Sequence, residues 1–291
     1  MREEHNKGMA LLMTLLVVTL LSVLIIAMHS RSLLALTKAK NSVNSLNASY
    51  VMRSGVSAAM GFLERDARET PIDSLSEAWA QEIVRFPVGD GTVSIRIGDE
   101  ASRFNINTLV TPQGKINGKA VERFGRLLGI VGSKEALSEI VAEWLRSNRE
   151  RLSYTFRDTS ELRLVPGVGS ETVNRIEKYV TVYTDRMNER NININTVGRE
   201  VLLALSPQLN EALVEGIMGY RLATPFQEIG EVKRVQGIND EILSTFSDVL
   251  DVRSSNFSVW AEAKVADVVR RGSALVSRDG GKVRLMAWKE E

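Results

Sequence analysis

Catalysis in a chain of this size usually runs through imidazoles, thiols or convergent carboxylates, and the first two are almost missing. There is no cysteine, and the only histidines, His5 and His29, both lie in the first thirty residues. Everything beyond His29 therefore lacks Ser-His-Asp and Cys-His nucleophiles and His-ligated zinc. Carboxylate-only or Ser-Lys chemistry survives by elimination, without a motif for either. Asp248 and Asp251, or Asp240 and Glu241, offer oxygen ligands, but their spacing matches no calcium loop and they read as a solvated face. The expectation is a protein that is not an enzyme and needs no cofactor, with calcium unassigned. Charge is nearly balanced, with 37 Lys and Arg against 36 Asp and Glu, so nothing pulls the whole chain toward nucleic acid or an anionic surface.

One motif has the form of a ligand-binding turn. Pro166-Gly167-Val168-Gly169 precedes Ser170 and a helical stretch, and resembles a helix-hairpin-helix, whose turn presents backbone N–H groups to phosphate. A phosphate-tracking surface needs a basic excess. Residues 111–250 have none, and Arg175 and Lys178 are interleaved with Glu171 and Glu177. Gly167, Gly169 and the corresponding Gly237 therefore read as structural turns, and nucleic acid is not an expected partner. The run Arg146, Arg149, Arg151, Arg157 and Arg163 is broken by Glu143, Glu150, Asp158 and Glu161, and reads as an ion-paired surface.

The elements that carry these residues begin with a long apolar segment. Met9 to Met28 contains no charged residue, and twelve of its twenty residues are Leu, Val or Ile. At a 1.5 Å rise it spans about 30 Å, the thickness of a bilayer's hydrocarbon core. Those twelve favour insertion by about 5 kcal/mol. Ala27-Met28-His29 is not a signal-peptidase site, so residues 9–28 are expected to remain as a transmembrane helix. Helical spacing continues through Leu36, Ala39, Val43, Leu46 and Tyr50, then Val56, Met60, Leu63 and Ala67, until Pro71. One helix from about 9 to 68 follows, with a bend plausible at Gly55 or Gly61.

Two strand-rich pieces flank a helical middle. Val84, Phe86 and Val88 alternate, turn at Gly89-Asp90-Gly91, and return through Val93, Ile95 and Ile97. Near the C-terminus Phe257 to Val265 alternates, 274–277 is a short run, and Asp279-Gly280-Gly281 turns into Val283, Leu285 and Ala287. Trp260 and Trp288 are expected on the opposite face of those strands. Between them lie helical candidates at 118–130, 134–148, 170–181, 198–205, 208–222 and 238–250. The middle repeats itself: Phe104-Asn105-Ile106-Asn107-Thr108 returns as Ile192-Asn193-Ile194-Asn195-Thr196, and Glu161 to Val168 is echoed by Glu231 to Ile238. The fold class is α+β: a pilin-like long N-terminal helix packed on an antiparallel sheet, with a large all-α domain inserted between strands. The divisions are 1–8, 9–28, 29–70, a sheet domain of 71–110 with 251–291, and a helical insertion of 111–250.

The leader MREEHNKG, charged and ending in glycine before the apolar run, resembles a prepilin-peptidase signal. The resemblance implies cleavage between Gly8 and Met9, N-methylation of Met9, a cytoplasmic N-terminus and a periplasmic body held by one span in a bacterial inner membrane. The fifth mature position, glutamate in major pilins, is Met13. With Asp99-Glu100 leading into Phe104-Asn105-Ile106-Asn107, the run Ser160 to Val165 before Gly167, and Ile192 to Thr196, the chain resembles the minor pseudopilin K (GspK-like) family of type II secretion. That implies a pseudopilus tip subunit that helps initiate assembly with two other minor pseudopilins, for protein export across the outer membrane. The chain departs from the family after Trp144, where an acidic run is lost, and at 151–158, where a loop is shortened. The alternative reading is a minor pilin or helix-hairpin-helix DNA receptor of a type IV pilus or competence system.

Overall fold

The apolar segment and its helical continuation form one uninterrupted helix, α1 (Arg2–Glu69). The computed structural model describes residues 2–183 and 192–290. Met1 of the leader, 184–191 of the helical insertion and Glu291 lie outside the described residues. The helix stops because Pro71 disfavours a helical Thr70, and the Thr70 N–H and hydroxyl both turn back to the Asp66 carbonyl. Residues 8–43 of α1 are exposed, whereas Ala48, Met52, Val56, Ala59 and Leu63 form a buried stripe at 3/4 spacing.

That stripe lies on a five-stranded antiparallel sheet built from β1 (Ile83–Val88), β2 (Gly91–Asp99), β7 (Asn256–Val265), β8 (Val268–Asp279) and β9 (Lys282–Glu290), in the order β1-β2-β7-β8-β9. The two pieces, distant in sequence, join where β2 pairs with β7 from Gly91↔Val265 to Asp99↔Phe257. Val93, Ile95, Ile97, Phe257, Val259 and Ala261 alternate toward α1. Each larger side chain buried in this layer contributes roughly 1.5–3 kcal/mol. Gly55 brings the layers close, since a Cβ there would lie 2.7 Å from Val93 Cγ2. Its role is this approach, and neither Gly55 nor Gly61 interrupts the helix.

Three strand expectations change. A bulge at Arg85, which has a positive φ of 52°, breaks the alternation of β1 and leaves Val84 and Phe86 exposed. The run at 274–277 is part of a twelve-residue strand. In β9 the register shifts between Leu285↔Val276 and Ala287↔Leu275, so Leu285 stays exposed and Trp288 turns toward the core under α1. Trp260 does sit on the outer face, with Arg96 stacked 4.8 Å from its ring centroid.

The chain leaves the sheet at Asp99 and re-enters at Asn256, having built two similar modules. The first is β3 (Phe104–Asn105), α2 (Gly118–Ile130), α3 (Leu137–Leu152), a 3-10 turn at Thr159–Leu164, α4 (Ser170–Ile176) and β4 (Val180–Thr181). The second is β5 (Ile192–Asn193), α5 (Arg199–Leu205), α6 (Glu211–Ala223), a 3-10 turn at Ile229–Arg234, α7 (Asp240–Ser244) and β6 (Leu250–Asp251). Each opening strand pairs in parallel with its closing strand, Asn105↔Thr181 in one and Asn193↔Asp251 in the other. This pairing ends the helices expected at 170–181 and 238–250 early, because Val180-Thr181 and Leu250-Asp251 must extend. The insertion's apolar core runs from Phe104 to Leu250, so Phe104, Ile106, Leu109 and Val110 belong to it and not to the sheet.

The body and the insertion have separate cores, and the insertion lies at one end of the sheet. Early in the packed half of α1, Ser45 accepts from Arg270 and Ser49 donates to Glu290. Late in it, Glu64 accepts from the Val283 N–H and Asp66 meets Arg278. The β7–β8 hairpin thus faces the apolar span. Asp99 and Asn256, where the insertion is attached, lie at the opposite end.

Candidate functional site

The first candidate region is the apolar half of α1. Among the described residues it is the one helix long and apolar enough to cross a membrane, and none of its span is buried. Thr14, Thr19 and Ser22 return their hydroxyls to the carbonyls of Leu11, Leu16 and Val18, so these polar groups are satisfied within the helix. Gly8 has open space where a Cβ would stand, and Met9 and Met13 are exposed. These features make α1 a single-pass membrane anchor.

The second region is the repeated turn. Gly167 and Gly237 both adopt positive φ, 85° and 92°, a region that disfavours a Cβ. Gly169 does not; it is the extended residue before α4, with open space around it. The repeated asparagines hold each module together. Asn107 Oδ1 accepts from the Phe156 N–H while its Nδ2 donates to the Phe156 and Val182 carbonyls. Asn195 clamps Phe226 in the same way. Arg149 and Arg221 follow a common pattern too: Arg149 donates to the carbonyls of Val110 and Thr111, Arg221 to those of Ile194 and Val197. Burial lowers the Arg221 pKa to about 10. Arg149, expected on an ion-paired surface, is thus an internal strut, whereas Arg146 does pair with Glu143 and Glu150. Arg175, expected beside acidic residues, bonds Glu171 and the Gly132 carbonyl.

The third region, missed in sequence, is the seam between the insertion and the sheet. Asp73 and Asp99 are buried there. Arg278 donates to both Asp73 oxygens, to Asp66 at 3.1 Å and to the Ser254 carbonyl at 2.9 Å, and stacks 4.9 Å from the Phe257 centroid. Asp66, Asp73 and Glu77 are close enough together to resemble a metal cluster, but the Arg278 guanidinium already answers two of them. Burial, helped by Glu77 and Asp73, pushes Asp66 up to about 6. Two of the carboxylates singled out for calcium are engaged by basic side chains. Asp248 binds Arg123 and Lys119, and Asp240 binds Lys233.

Comparison with known proteins places this architecture. Family profiles described as "Type II secretion system (T2SS), protein K" match residues 102–185 and 192–253, one for each module. The chain is similar to type II secretion system protein K of Pseudomonas aeruginosa, at 28% identity over 99% of this chain and 93% of the relative. It is also similar to the protein of that name from Klebsiella pneumoniae, at 28% identity over 78% of each, and from Aeromonas hydrophila, at 26% over 92% of each. Its fold matches a chain in the crystal structure of the GspK-GspI-GspJ complex from enterotoxigenic Escherichia coli, with a TM-score of 0.72 and 19% identity. That match covers 87% of this chain and 99% of the other. Profiles over both modules and full-length relatives of one name lead to a single assignment: the chain belongs to the type II secretion system protein K family.

Proposed function

We propose that this minor pseudopilin of type II secretion occupies the outermost position of its pseudopilus and starts its assembly with two other minor pseudopilins. The observation that carries the reading is the placement of the insertion at the sheet end remote from the apolar span. A filament subunit entering from the membrane side stacks its helix beneath older ones. A body as large as 104–250, projecting from the far end of the head, obstructs any subunit above it. Met13 adds to this: a tip subunit has no neighbour above whose terminal amine needs a carboxylate, and an unpaired one in apolar surroundings costs several kcal/mol. The relative crystallised with GspI and GspJ supports two partners of this kind.

The finer reading follows the same line. The chain is cut between Gly8 and Met9 by prepilin peptidase, is methylated on Met9, and sits in the inner membrane with its body in the periplasm. It works as a structural subunit and not as an enzyme. Gold labelling of an epitope inserted between the exposed Pro112 and Gln113 tests the position. Label at one filament end supports it, and label spaced along the shaft overturns it.

A further inference from the structure

The seam between the insertion and the sheet is polar, although each side has an apolar core of its own. Asp99, at the end of β2, is its centre. Its Oδ2 accepts from Ser254 Oγ at 2.6 Å, from Thr196 Oγ at 2.5 Å and from Asn193 Nδ2 at 3.4 Å, and its Oδ1 accepts from the Ala101 N–H at 2.8 Å. Asn193 and Thr196 come from the second module and Ser254 from the returning chain, while Ala101 lies in the turn just after β2, so Asp99 binds the insertion to the sheet directly. No cation is among these four donors.

The charged groups around Asp99 come from every element at the seam. The end of α1 supplies Asp66, and the linker after it supplies Asp73 and Glu77, whose Oε2 accepts from the Trp79 indole. Next to Asp99, Glu100 is buried, bonded to Thr181 of the first module and to Ser258 of β7, with Arg103 at 3.5 Å. The return strand contributes Asp251, which caps the Val252 N–H, and Arg253, which binds the Pro71 carbonyl. Strand β8 supplies Arg278, engaged by Asp73 and Asp66. Carboxylates therefore outnumber guanidinium groups at the seam, and Asp99, buried at the junction of insertion and sheet, is held by the neutral donors Ser254, Thr196, Asn193 and Ala101.

We propose that this seam is a proton-tuned latch: neutralising Asp99 tightens the hold of the insertion on the sheet, so the tip domain is docked more firmly in mildly acidic medium than at neutral pH. A protonated Asp99 keeps the acceptor oxygen facing Ala101 and donates its new O–H to Ser254 or Thr196, whose hydroxyls rotate to accept. The ionised form is a buried charge without a counter-charge. Burial pushes Asp99 up to about 6, against the opposing hydrogen bonds from Ser254 and Thr196. A folded-state pKa above the ordinary carboxylate value means that the docked state holds a proton the undocked chain releases. The stabilisation is thus present at low pH and is lost as pH rises through about 6. Asp66 is raised in the same direction, but its partners Thr70 and Arg278 belong to the body and not to the insertion.

Hydrogen–deuterium exchange of the full chain in detergent, corrected for intrinsic rates, tests this in peptides spanning 192–197 and 250–257. Protection at pH 5.5 is expected to exceed that at pH 7.5 by roughly fourfold. Asp99→Asn, neutral at every pH, is expected to lose that dependence, and Asp66→Asn to leave it in place. Equal or weaker protection at pH 5.5 in the unmodified chain overturns the proposal, as does a full pH dependence in Asp99→Asn. Should Asp99→Asn fail to fold by circular dichroism, Ser254→Ala decides. Removing that donor must move the midpoint of the pH dependence upward, and an unmoved midpoint overturns the latch.

Discussion

Replacing Arg278 by methionine is expected to loosen the body more than any other single change at the seam. The methionine keeps much of the apolar stem over Phe257 but removes the guanidinium that Asp73, Asp66 and the Ser254 carbonyl all use. The side chains of Arg278 and Asp73 are 9% and 1% exposed, so solvent cannot replace what is lost. Breaking a buried pair from one side costs about 3–5 kcal/mol, because the partner is left charged and uncompensated. Asp66 softens the loss by taking up a proton, its pKa already being about 6, and Asp73 retains the Ser254 N–H. We therefore expect a loss near 4 kcal/mol at pH 7.5, and a fall in Tm of about 8–16 °C at 2–4 °C per kcal/mol. Urea and thermal unfolding of the full chain in detergent, followed by tryptophan fluorescence, measures it. Adding Asp73→Asn to Arg278→Met removes the orphaned charge and is expected to recover more than half the loss. A single-variant loss under 1 kcal/mol, or a double variant no better than the single, refutes the reasoning.

Three further outcomes follow from the geometry. Gly237→Ala meets both a φ of +92° and a Cβ 2.9 Å from Leu213 Cδ2, and is expected to lose about 2 kcal/mol in urea unfolding. Gly167→Ala should lose about 1 kcal/mol, and Gly169→Ala, in open space with ordinary backbone, less than about 0.5. Asn107→Ala and Asn195→Ala each strand the backbone groups of one phenylalanine, Phe156 or Phe226, and should each cost about 2–4 kcal/mol in the same assay. Asn107 should be the worse of the two because it also holds the Val182 carbonyl. Met13→Glu supplies the carboxylate that internal subunits use, and is expected to move gold label from the filament end into the shaft; label still confined to the end would separate Met13 from the tip position.

The apolar run from Met9 to Met28 is self-sufficient: a helix in lipid satisfies its own backbone, so length and composition determine it. The alternation in β2 and β7, the glycine turns and the repeated Asn-Ile-Asn segments were legible for a similar reason. Each is a local pattern whose period or turn chemistry states its structure directly. The resemblance to the protein K family rests on the Gly8/Met9 junction with Met13, on Asp99-Glu100 leading into Phe104–Asn107, on Ser160–Val165 before Gly167 and on Ile192–Thr196. Other features depended on contacts between distant parts of the chain. Whether Trp288 faces in or out was decided by a register shift against β8, and the ends of α4 and α7 by strand pairing more than fifty residues back, to Phe104 and Ile192. Arg149 belongs to a stretch whose sequence reads as surface charge, and only the fold brings the carbonyls of Val110 and Thr111 to it. The seam was the least legible of all. Asp73, Asp99, Asn193, Ser254 and Arg278 are scattered over five segments, and although Asp99 and Asn193 belong to motifs visible in the sequence, nothing local joins them to the other three. Their meaning lies in being buried together, and burial of polar groups is a property of how two separately folded cores meet.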